Sequence, residues 1–318
     1  MYYSIRHLTR FRYSAAISES MMEVRMQPRT EDLQRCLEFR LFTEPTSQVM
    51  SYIDYLGNTI HNFSVPGRHT SLTITAEALI EVIPPPVRPV ALSTDDWQKL
   101  DLLTASDDYW DMLHPSRFAH PSSLLEQFAQ KHGITRDADP MTMLMHINDI
   151  IYNAFEYVPM STTVDSPIDD ALRDHKGVCQ DFAHIMITLV RGLGIPCRYV
   201  SGYLFHRTED HDRSEEDATH AWVEAMLPNL GWIGFDPTNN LIATDRHIRT
   251  AVGRDYADVP PTLGVFKGDA DSELDVGVKV SPRQATIPED IVLLPVIPWP
   301  PPGSDMEQEE DDQRQQQQ

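Results

Sequence analysis

One apolar helix is predicted to begin within the run Gly177-Val178-Cys179-Gln180-Asp181-Phe182-Ala183-His184. Apolar residues then recur at helical spacing until Gly194 stops the helix. Cys179 is therefore predicted to lie in the first turn, where the helix dipole and a nearby imidazole favour a thiolate. Because a thiolate is a nucleophile, this segment predicts covalent chemistry at Cys179. The alternative is a small buried cysteine that packs like alanine.

The composition indicates an acidic globular protein. Of 318 residues, 41% are hydrophobic and 23% are charged, and the net charge is −22 at pH 7. This charge argues against nucleic acid and anionic membranes as partners, and no run approaches the roughly 20 apolar residues of a membrane helix. The start lacks the apolar region of a signal peptide. Three sparse cysteines suggest no disulfide framework, so a cytoplasmic location is expected.

The chain is predicted to contain two domains and a tail. Residues 1–85 alternate in short strands separated by turn signals, which predicts an N-terminal β-sandwich that ends at a proline-rich linker. Residues 86–285 mix helices with strands, the pattern of an α+β domain in which a helix packs on an antiparallel sheet. A strand at 272–280 is expected to join that sheet. Residues 286–318 are proline-rich, then acidic and glutamine-rich, and are predicted to be disordered.

Two predicted strands after the helix carry the groups that a thiolate nucleophile needs. His220 begins one strand and Asp236 ends the next. A hairpin centred on Pro228 places His220 directly opposite Asp236, and a slip of one residue would turn Asp236 away. In this register Asp236 orients the imidazole, and His220 takes the proton from Cys179. The sulfur then attacks a carboxamide or peptide carbonyl, whose oxygen meets the Cys179 N–H.

The segment 206–218 between these elements is charged and irregular, with six acidic residues and two arginines. It is predicted to be a surface loop, and the alternative is a gate over the site.

Four motifs follow one another along the chain: the run that begins at Gly177, Gly194-Ile195-Pro196-Cys197-Arg198-Tyr199-Val200-Ser201-Gly202-Tyr203, His220-Ala221-Trp222-Val223-Glu224 and Gly231-Trp232-Ile233-Gly234-Phe235-Asp236-Pro237-Thr238. Together and in this order they resemble the bacterial transglutaminase-like family. The resemblance covers about residues 1–280. It implies a papain-like fold with a preceding β-domain, and a triad of Cys179, His220 and Asp236. The implied activity is that of a peptidase, an amidase or an acyl transferase on a peptide or protein amide.

Further residues are assigned to the same site. The resemblance makes Tyr157, in a Phe-x-Tyr ahead of the cysteine, the candidate for the second oxyanion donor. Gln180 and Trp222 are predicted to line the site, with core packing as the alternative for Trp222. Asp181 is expected to cap the helix, and His184 to pack with a hydrogen bond to backbone. No cofactor and no metal are expected.

Two alternatives from other classes stay open. A zinc site would draw on the following residues, although their spacing matches no standard pattern and no HExxH occurs: Cys179, His184, His206, His211 and His220. A non-catalytic binding module could retain the fold, but it would have no need of an intact cysteine, histidine and aspartate. The sequence determines neither the oligomeric state nor whether water or an amine releases the thioester.

Overall fold

The computed structural model describes residues 1–31, 33–207 and 209–283. Strands dominate the first 82 residues, and helices and strands follow, as the α+β prediction requires. Residues Met1–Arg283 form one compact unit. The tail at 286–318, expected to be disordered, lies outside the described residues. No helix in the part of the chain that the structure describes is long and apolar enough to cross a membrane.

The elements divide between two large sheets and a set of short helices. The strands are β1 (Tyr2–Val24), β2 (Gln34–Glu44), β3 (Met50–Ile53), β4 (Thr59–Val82), β5 (Glu156–Tyr157), β6 (Lys176–Gly177), β7 (Cys197–Leu204), β8 (His220–Leu227), β9 (Gly231–Asp236), β10 (Leu241–Ile242), β11 (His247–Gly253), β12 (Thr262–Lys267) and β13 (Ser272–Arg283). The helices are α1 (Asp96–Leu103), α2 (Trp110–Leu113), α3 (Ser123–Lys131), α4 (Pro140–Ala154), α5 (Ile168–Asp174) and α6 (Cys179–Gly192), with 3₁₀ turns at Asp107–Tyr109 and Tyr256–Asp258.

The N-terminal sheet has six antiparallel strands, which confirms a strand-rich first region. Its order is β12-β1-β4-β2, with β13 paired to β1 and β3 paired to β4. The alternation that predicts strands also sets the buried face, since Leu72, Ile74 and Ile80 of β4 are fully buried. The two long strands β1 and β4 join all the others into one hydrogen-bonded sheet.

The strand predicted at 272–280 does not join the core sheet, so that part of the sequence prediction is wrong. It lies in β13, which pairs with β1 from Tyr2↔Arg283 to Tyr13↔Ser272. Alternation predicts a strand but not its partner, and the first half of β1 offers an open edge. Residues 262–283 thus return to the N-terminal sheet, although they were assigned to a domain at 86–285. The boundary at residue 85 stays a prediction.

The core sheet has the antiparallel order β10-β9-β8-β7-β11, and α6 packs on it. Apolar side chains of α6 and of alternate β8 positions share one buried cluster. The helix ends as predicted, because Gly194 adopts the left-handed backbone (φ 74°) that favours glycine.

The β8–β9 hairpin is centred one residue later than predicted. Val223 pairs with Phe235 and Leu227 with Gly231, so His220 does not lie directly opposite Asp236. The turn uses positive φ angles at Asn229 and Gly231, a turn chemistry that moves the centre off Pro228. The position opposite His220 is therefore two residues beyond Asp236. Because side chains alternate with a period of two, this even shift leaves Asp236 on the same face of the sheet as His220, as predicted.

Two side-chain amides of the N-terminal region occupy the outer edge of β11. The Asn58 side chain accepts the Val252 N–H and donates to the Val252 carbonyl, both at 2.8 Å. Gln34 does the same at Arg249, with both distances 2.9 Å. Both amides are buried. They replace a neighbouring strand, and so they fasten the N-terminal region to the sheet that carries the candidate site.

Asn58→Leu is expected to lower the free energy of unfolding by about 2 kcal/mol, because it leaves a buried N–H and carbonyl of Val252 unpaired. Urea unfolding followed by circular dichroism measures this change. Asn153→Leu, at an exposed position of α4, is the matched control and should stay within about 0.5 kcal/mol of the wild type. Equal stabilities for the two variants would contradict the role given to Asn58.

Candidate active site

Cys179 is the first residue of α6, at the position that the sequence predicts. The Asp181 carboxylate caps the helix: its Oδ2 accepts the Val178 N–H at 2.8 Å and the Thr162 hydroxyl at 2.6 Å. Position 177 is a glycine because a Cβ there would lie only 3.0 Å from the Asp181 side chain. As the first helical residue, Cys179 has a backbone N–H without an intrahelical acceptor, and this N–H is free to meet a substrate oxygen.

His220 and Asp236 form a buried pair on β8 and β9. His220 Nε2 lies 2.8 Å from Asp236 Oδ2, and the carboxylate is fully buried. Burial alone would lower the pKa of His220, but the charge and hydrogen bond of Asp236, and then the sulfur of Cys179, raise it to about 10. Burial opposes the charge on Asp236, yet His220 and His247 hold the pKa of Asp236 far below its usual range. The imidazole is therefore stabilised as the imidazolium.

The second nitrogen of His220 is not engaged by Asp236. His220 Nδ1 is buried and has no hydrogen-bond partner among the described residues, the Cys179 sulfur included. Because Asp236 occupies Nε2, the sulfur that helps to raise the pKa of His220 acts on the Nδ1 side. The structure thus pairs His220 with Asp236, and Cys179 lies near enough to His220 to raise its pKa. That the three act as nucleophile, base and orienting acid stays a prediction.

The Asp236 carboxylate accepts hydrogen bonds from three further residues that the sequence analysis does not assign to it. Its Oδ1 accepts the backbone N–H groups of Thr238 (3.0 Å) and Asn239 (3.3 Å). Its Oδ2 accepts the Asn239 side-chain amide at 2.8 Å and lies 3.2 Å from His247 Nε2. His247 begins β11, a strand that the sequence analysis does not assign. The available signal is the apolar pattern at 248–252 that follows it.

The residues of the proposed zinc site are not brought together. Among the described residues, the cluster with metal-ligand spacing is His220, Asp236 and His247, whose ligand atoms lie within 4.8 Å of one another. Only His220 belongs to the zinc set considered from the sequence. Both imidazoles already use Nε2 toward the same carboxylate oxygen, so the cluster fits a hydrogen-bonded network rather than a metal site.

The acidic segment 206–218 is anchored next to Asp236 through Asn239. Asn239 Oδ1 accepts the backbone N–H groups of Arg213 (2.7 Å) and Ser214 (3.2 Å). Its Nδ2 donates to Ser214 Oγ at 3.1 Å and to Asp236 at 2.8 Å. The sequence predicts a surface loop at 206–218, and Arg213 and Ser214 of this segment contact Asn239, which donates to Asp236. Whether the loop gates the site stays a prediction.

Tyr157 lies on β5, paired in parallel with Gly177. Burial and the neighbouring Cys179 charge raise the pKa of Tyr157, whereas a hydrogen bond from the Glu215 backbone acts in the opposite direction. The phenol is therefore close to the sulfur, and its assignment as the second oxyanion donor stays a prediction.

Three other predicted residues are accounted for by contacts inside the protein. Gln180 donates from Nε2 to the Val164 carbonyl at 3.0 Å. Trp222 is fully buried and stacks on the His220 ring, with centroids 6.0 Å apart. His184 accepts the Tyr256 N–H at 3.2 Å, the packing role expected for it, and burial lowers its pKa to about 4. That Gln180 and Trp222 also line the site stays a prediction.

Comparisons with known proteins agree with this architecture. Residues 127–237 match the transglutaminase-like superfamily, and residues 3–81 match the bacterial transglutaminase-like N-terminal region. The chain is 32% identical over 277 residues to an uncharacterized protein of Mycobacterium leprae, covering 86% of this chain and 96% of that protein. Over 89 residues it is 35% identical to a protein-glutamine gamma-glutamyltransferase of Pseudomonas aeruginosa, covering 27% of this chain and 13% of that enzyme.

A crystal structure of similar fold is that of a proposed cysteine protease from Cytophaga hutchinsonii. Its TM-score is 0.69 at 23% identity, and the match covers 90% of this chain and 92% of that one. At this identity the likeness concerns the fold, which is that of the papain-like thiol enzymes.

Proposed function

This chain belongs to the bacterial transglutaminase-like family, and from that membership we propose that it is a cysteine peptidase, amidase or acyl transferase. Its substrate is a peptide or protein amide. The observation that carries the proposal is His220, a buried imidazole whose Nε2 is held by Asp236 and whose Nδ1 has no hydrogen-bond partner among the described residues. A scaffold that only binds a partner does not need this buried, charged pair beside a cysteine at a helix start.

The first half of the reaction forms a thioester. His220 holds the proton of Cys179 as an imidazolium, and the thiolate attacks the carbonyl carbon of the amide, whose oxygen receives the electron pair. The Cys179 N–H at the start of α6 stabilises this oxyanion, and Tyr157 is the proposed second donor. When the carbonyl re-forms, the carbon–nitrogen bond breaks. The leaving amine takes its proton from His220, and the acyl group stays on the sulfur.

The second half releases the acyl group. His220, now neutral, takes a proton from a water molecule or from a second amine, and that nucleophile attacks the thioester carbon. The carbon–sulfur bond breaks, and the thiolate is restored beside the imidazolium of His220. Water gives a peptidase or an amidase, whereas an amine gives an acyl transferase. Throughout, Asp236 keeps the imidazole in the orientation in which Nδ1 faces the sulfur. The cytoplasmic location inferred from the cysteines stays a prediction.

The proposal predicts a large difference in reactivity between two cysteines of the same chain. Cys179 is expected to react with iodoacetamide about a hundredfold faster than Cys36 at pH 7, because His220 stays protonated and stabilises a thiolate. Burial raises the pKa of Cys36 to about 11, so its reaction should be slow at pH 7 and accelerate as the pH rises. Peptide mapping by mass spectrometry measures both rates.

Equal rates at Cys179 and Cys36 would contradict the activated thiolate and leave the binding module as the better description. The substrate class is tested by offering a peptide library and measuring the mass of the acyl group held on Cys179. A Cys179→Ala variant controls for acylation elsewhere in the chain.

A further inference from the structure

The reaction described above assigns no role to His247, although this residue touches the candidate acid. The imidazole is buried at 1% exposure, and its Nε2 lies 3.2 Å from Asp236 Oδ2. We propose that His247 is a positioning residue for the reaction at Cys179. As a neutral imidazole it donates from Nε2 to Asp236 and holds that carboxylate in line with His220. This inference rests on the proposed function.

The hydrogen bonds of His247 fix which of its nitrogens carries the proton. Its Nδ1 accepts the backbone N–H of Thr244 at 3.2 Å, so Nδ1 must present a lone pair. In a neutral ring the proton then lies on Nε2, the nitrogen that faces Asp236. Burial lowers the pKa of His247, and this outweighs the opposing effect of Asp236. His247 is thus a donor with a fixed direction and without a charge of its own.

Because His247 is neutral, it can donate to the Asp236 carboxylate without neutralising the negative charge, which a second cation would do. Asp236 must stay negative to stabilise the imidazolium of His220, and a charged neighbour would compete with His220 for the same oxygen. A neutral N–H satisfies one lone pair of Oδ2 and leaves the charge available. The backbone N–H groups of Thr238 and Asn239 hold Oδ1, and the Asn239 side-chain amide also donates to Oδ2. His247 is the further donor on Oδ2 and completes the set that prevents the carboxylate from rotating.

The surroundings of His247 hold the ring itself. Trp222 packs against it nearly at a right angle, with centroids 5.2 Å apart. Two residues along β11, the Gln34 amide binds both the N–H and the carbonyl of Arg249. The position of His247 therefore depends on the N-terminal region, which gives that region a part in aligning the candidate acid.

The rate of Cys179 alkylation by iodoacetamide at pH 7 tests the proposal without a known substrate. His247→Leu should lower this rate about tenfold, because Asp236 loses a directed donor. His247→Gln, which can still donate to Asp236, should keep the rate within about threefold of the wild type. His7→Leu removes another buried, hydrogen-bonded histidine far along the chain and should leave the rate unchanged. A thermal unfolding curve of each variant checks that it is folded at the temperature of the alkylation assay.

A double variant separates positioning from a purely structural role. If His247 acts through Asp236, then His247→Leu should have little further effect in an Asp236→Asn background. The proposal is overturned if the two effects add, if His247→Leu alkylates at the wild-type rate, or if His247→Gln is as slow as His247→Leu. If wild-type Cys179 reacts no faster than Cys36, the proposed function itself fails. If only the His247 variants behave unexpectedly, the proposed function stands.

The protonation of His247 has a spectroscopic signature. Long-range ¹H–¹⁵N correlation spectra of the folded protein should show a neutral ring with the proton on Nε2 at pH 7, assigned by its absence in His247→Gln. A ring protonated on both nitrogens, or on Nδ1 alone, would overturn the proposal, because either state requires a different hydrogen-bond pattern around Thr244 and Asp236.

Discussion

His220→Asn is expected to lower the rate of acyl-enzyme formation by about 10³- to 10⁴-fold. The imidazolium stabilises the Cys179 thiolate that attacks the acyl donor, and asparagine carries no charge to do so. p-Nitrophenyl acetate, an activated ester, serves as the acyl donor, since acylation of Cys179 releases coloured p-nitrophenolate as a burst. The burst rate measures the loss directly.

The control for this variant is His114→Asn, which changes an exposed histidine after α2 and should keep the burst rate of the wild type. Asp236→Asn should also be slow, and because Asp236 acts through His220, the double variant should be no slower than His220→Asn alone. A normal burst in His220→Asn, with the acyl group still found on Cys179, would show that another group activates the sulfur.

The parts of the site that local sequence determines could be predicted. Cys179 at a helix start follows from an apolar period that ends at Gly194, and both features are properties of one segment. The shared face of His220 and Asp236 also follows locally, because alternation along each strand fixes the face of the sheet on which each side chain lies. A pairing shift of two residues leaves that face unchanged. The hairpin centred on the wrong residue therefore still predicts the contact between His220 and Asp236.

The parts that depend on pairing between distant segments could not be predicted. β13 alternates like any half-exposed strand, and only the three-dimensional arrangement shows that its partner is β1. His247 is found only when β11 is placed beside β7, because nothing in its neighbourhood marks it as a ligand of Asp236. The amides of Gln34 and Asn58 likewise acquire their role from a strand more than 190 residues away.

Glu224→Gln is expected to lower the free energy of unfolding by about 3 kcal/mol at pH 7, the largest stability effect predicted for this chain. Glu224 is fully buried on β8 between two arginines. Its carboxylate lies 2.7 Å from Arg198 and also binds Arg249. Glutamine keeps the shape but removes the negative charge, which leaves two largely buried guanidinium groups without a counter-ion.

The pH dependence of this loss identifies its cause. Burial would raise the pKa of Glu224, but the two arginines lower it from 4.5 to about 2 in the folded protein. A carboxylate with a depressed folded-state pKa contributes stability above its unfolded pKa and loses it as the pH falls toward the folded value. The difference between the wild type and Glu224→Gln should therefore be constant near neutral pH and shrink between about pH 4.5 and 2.

Urea unfolding of both proteins at pH 7 and at pH 3.5 measures this difference. Glu273→Gln removes an exposed partner of Arg12 and should change the stability by less than about 0.5 kcal/mol at either pH. A Glu224→Gln deficit that stays the same at both pH values would mean that lost packing, rather than lost charge, destabilises the variant. A charge-based deficit would show that the ion pairs of Glu224 with Arg198 and Arg249 stabilise the core sheet, in which they link β8 to β7 and β11.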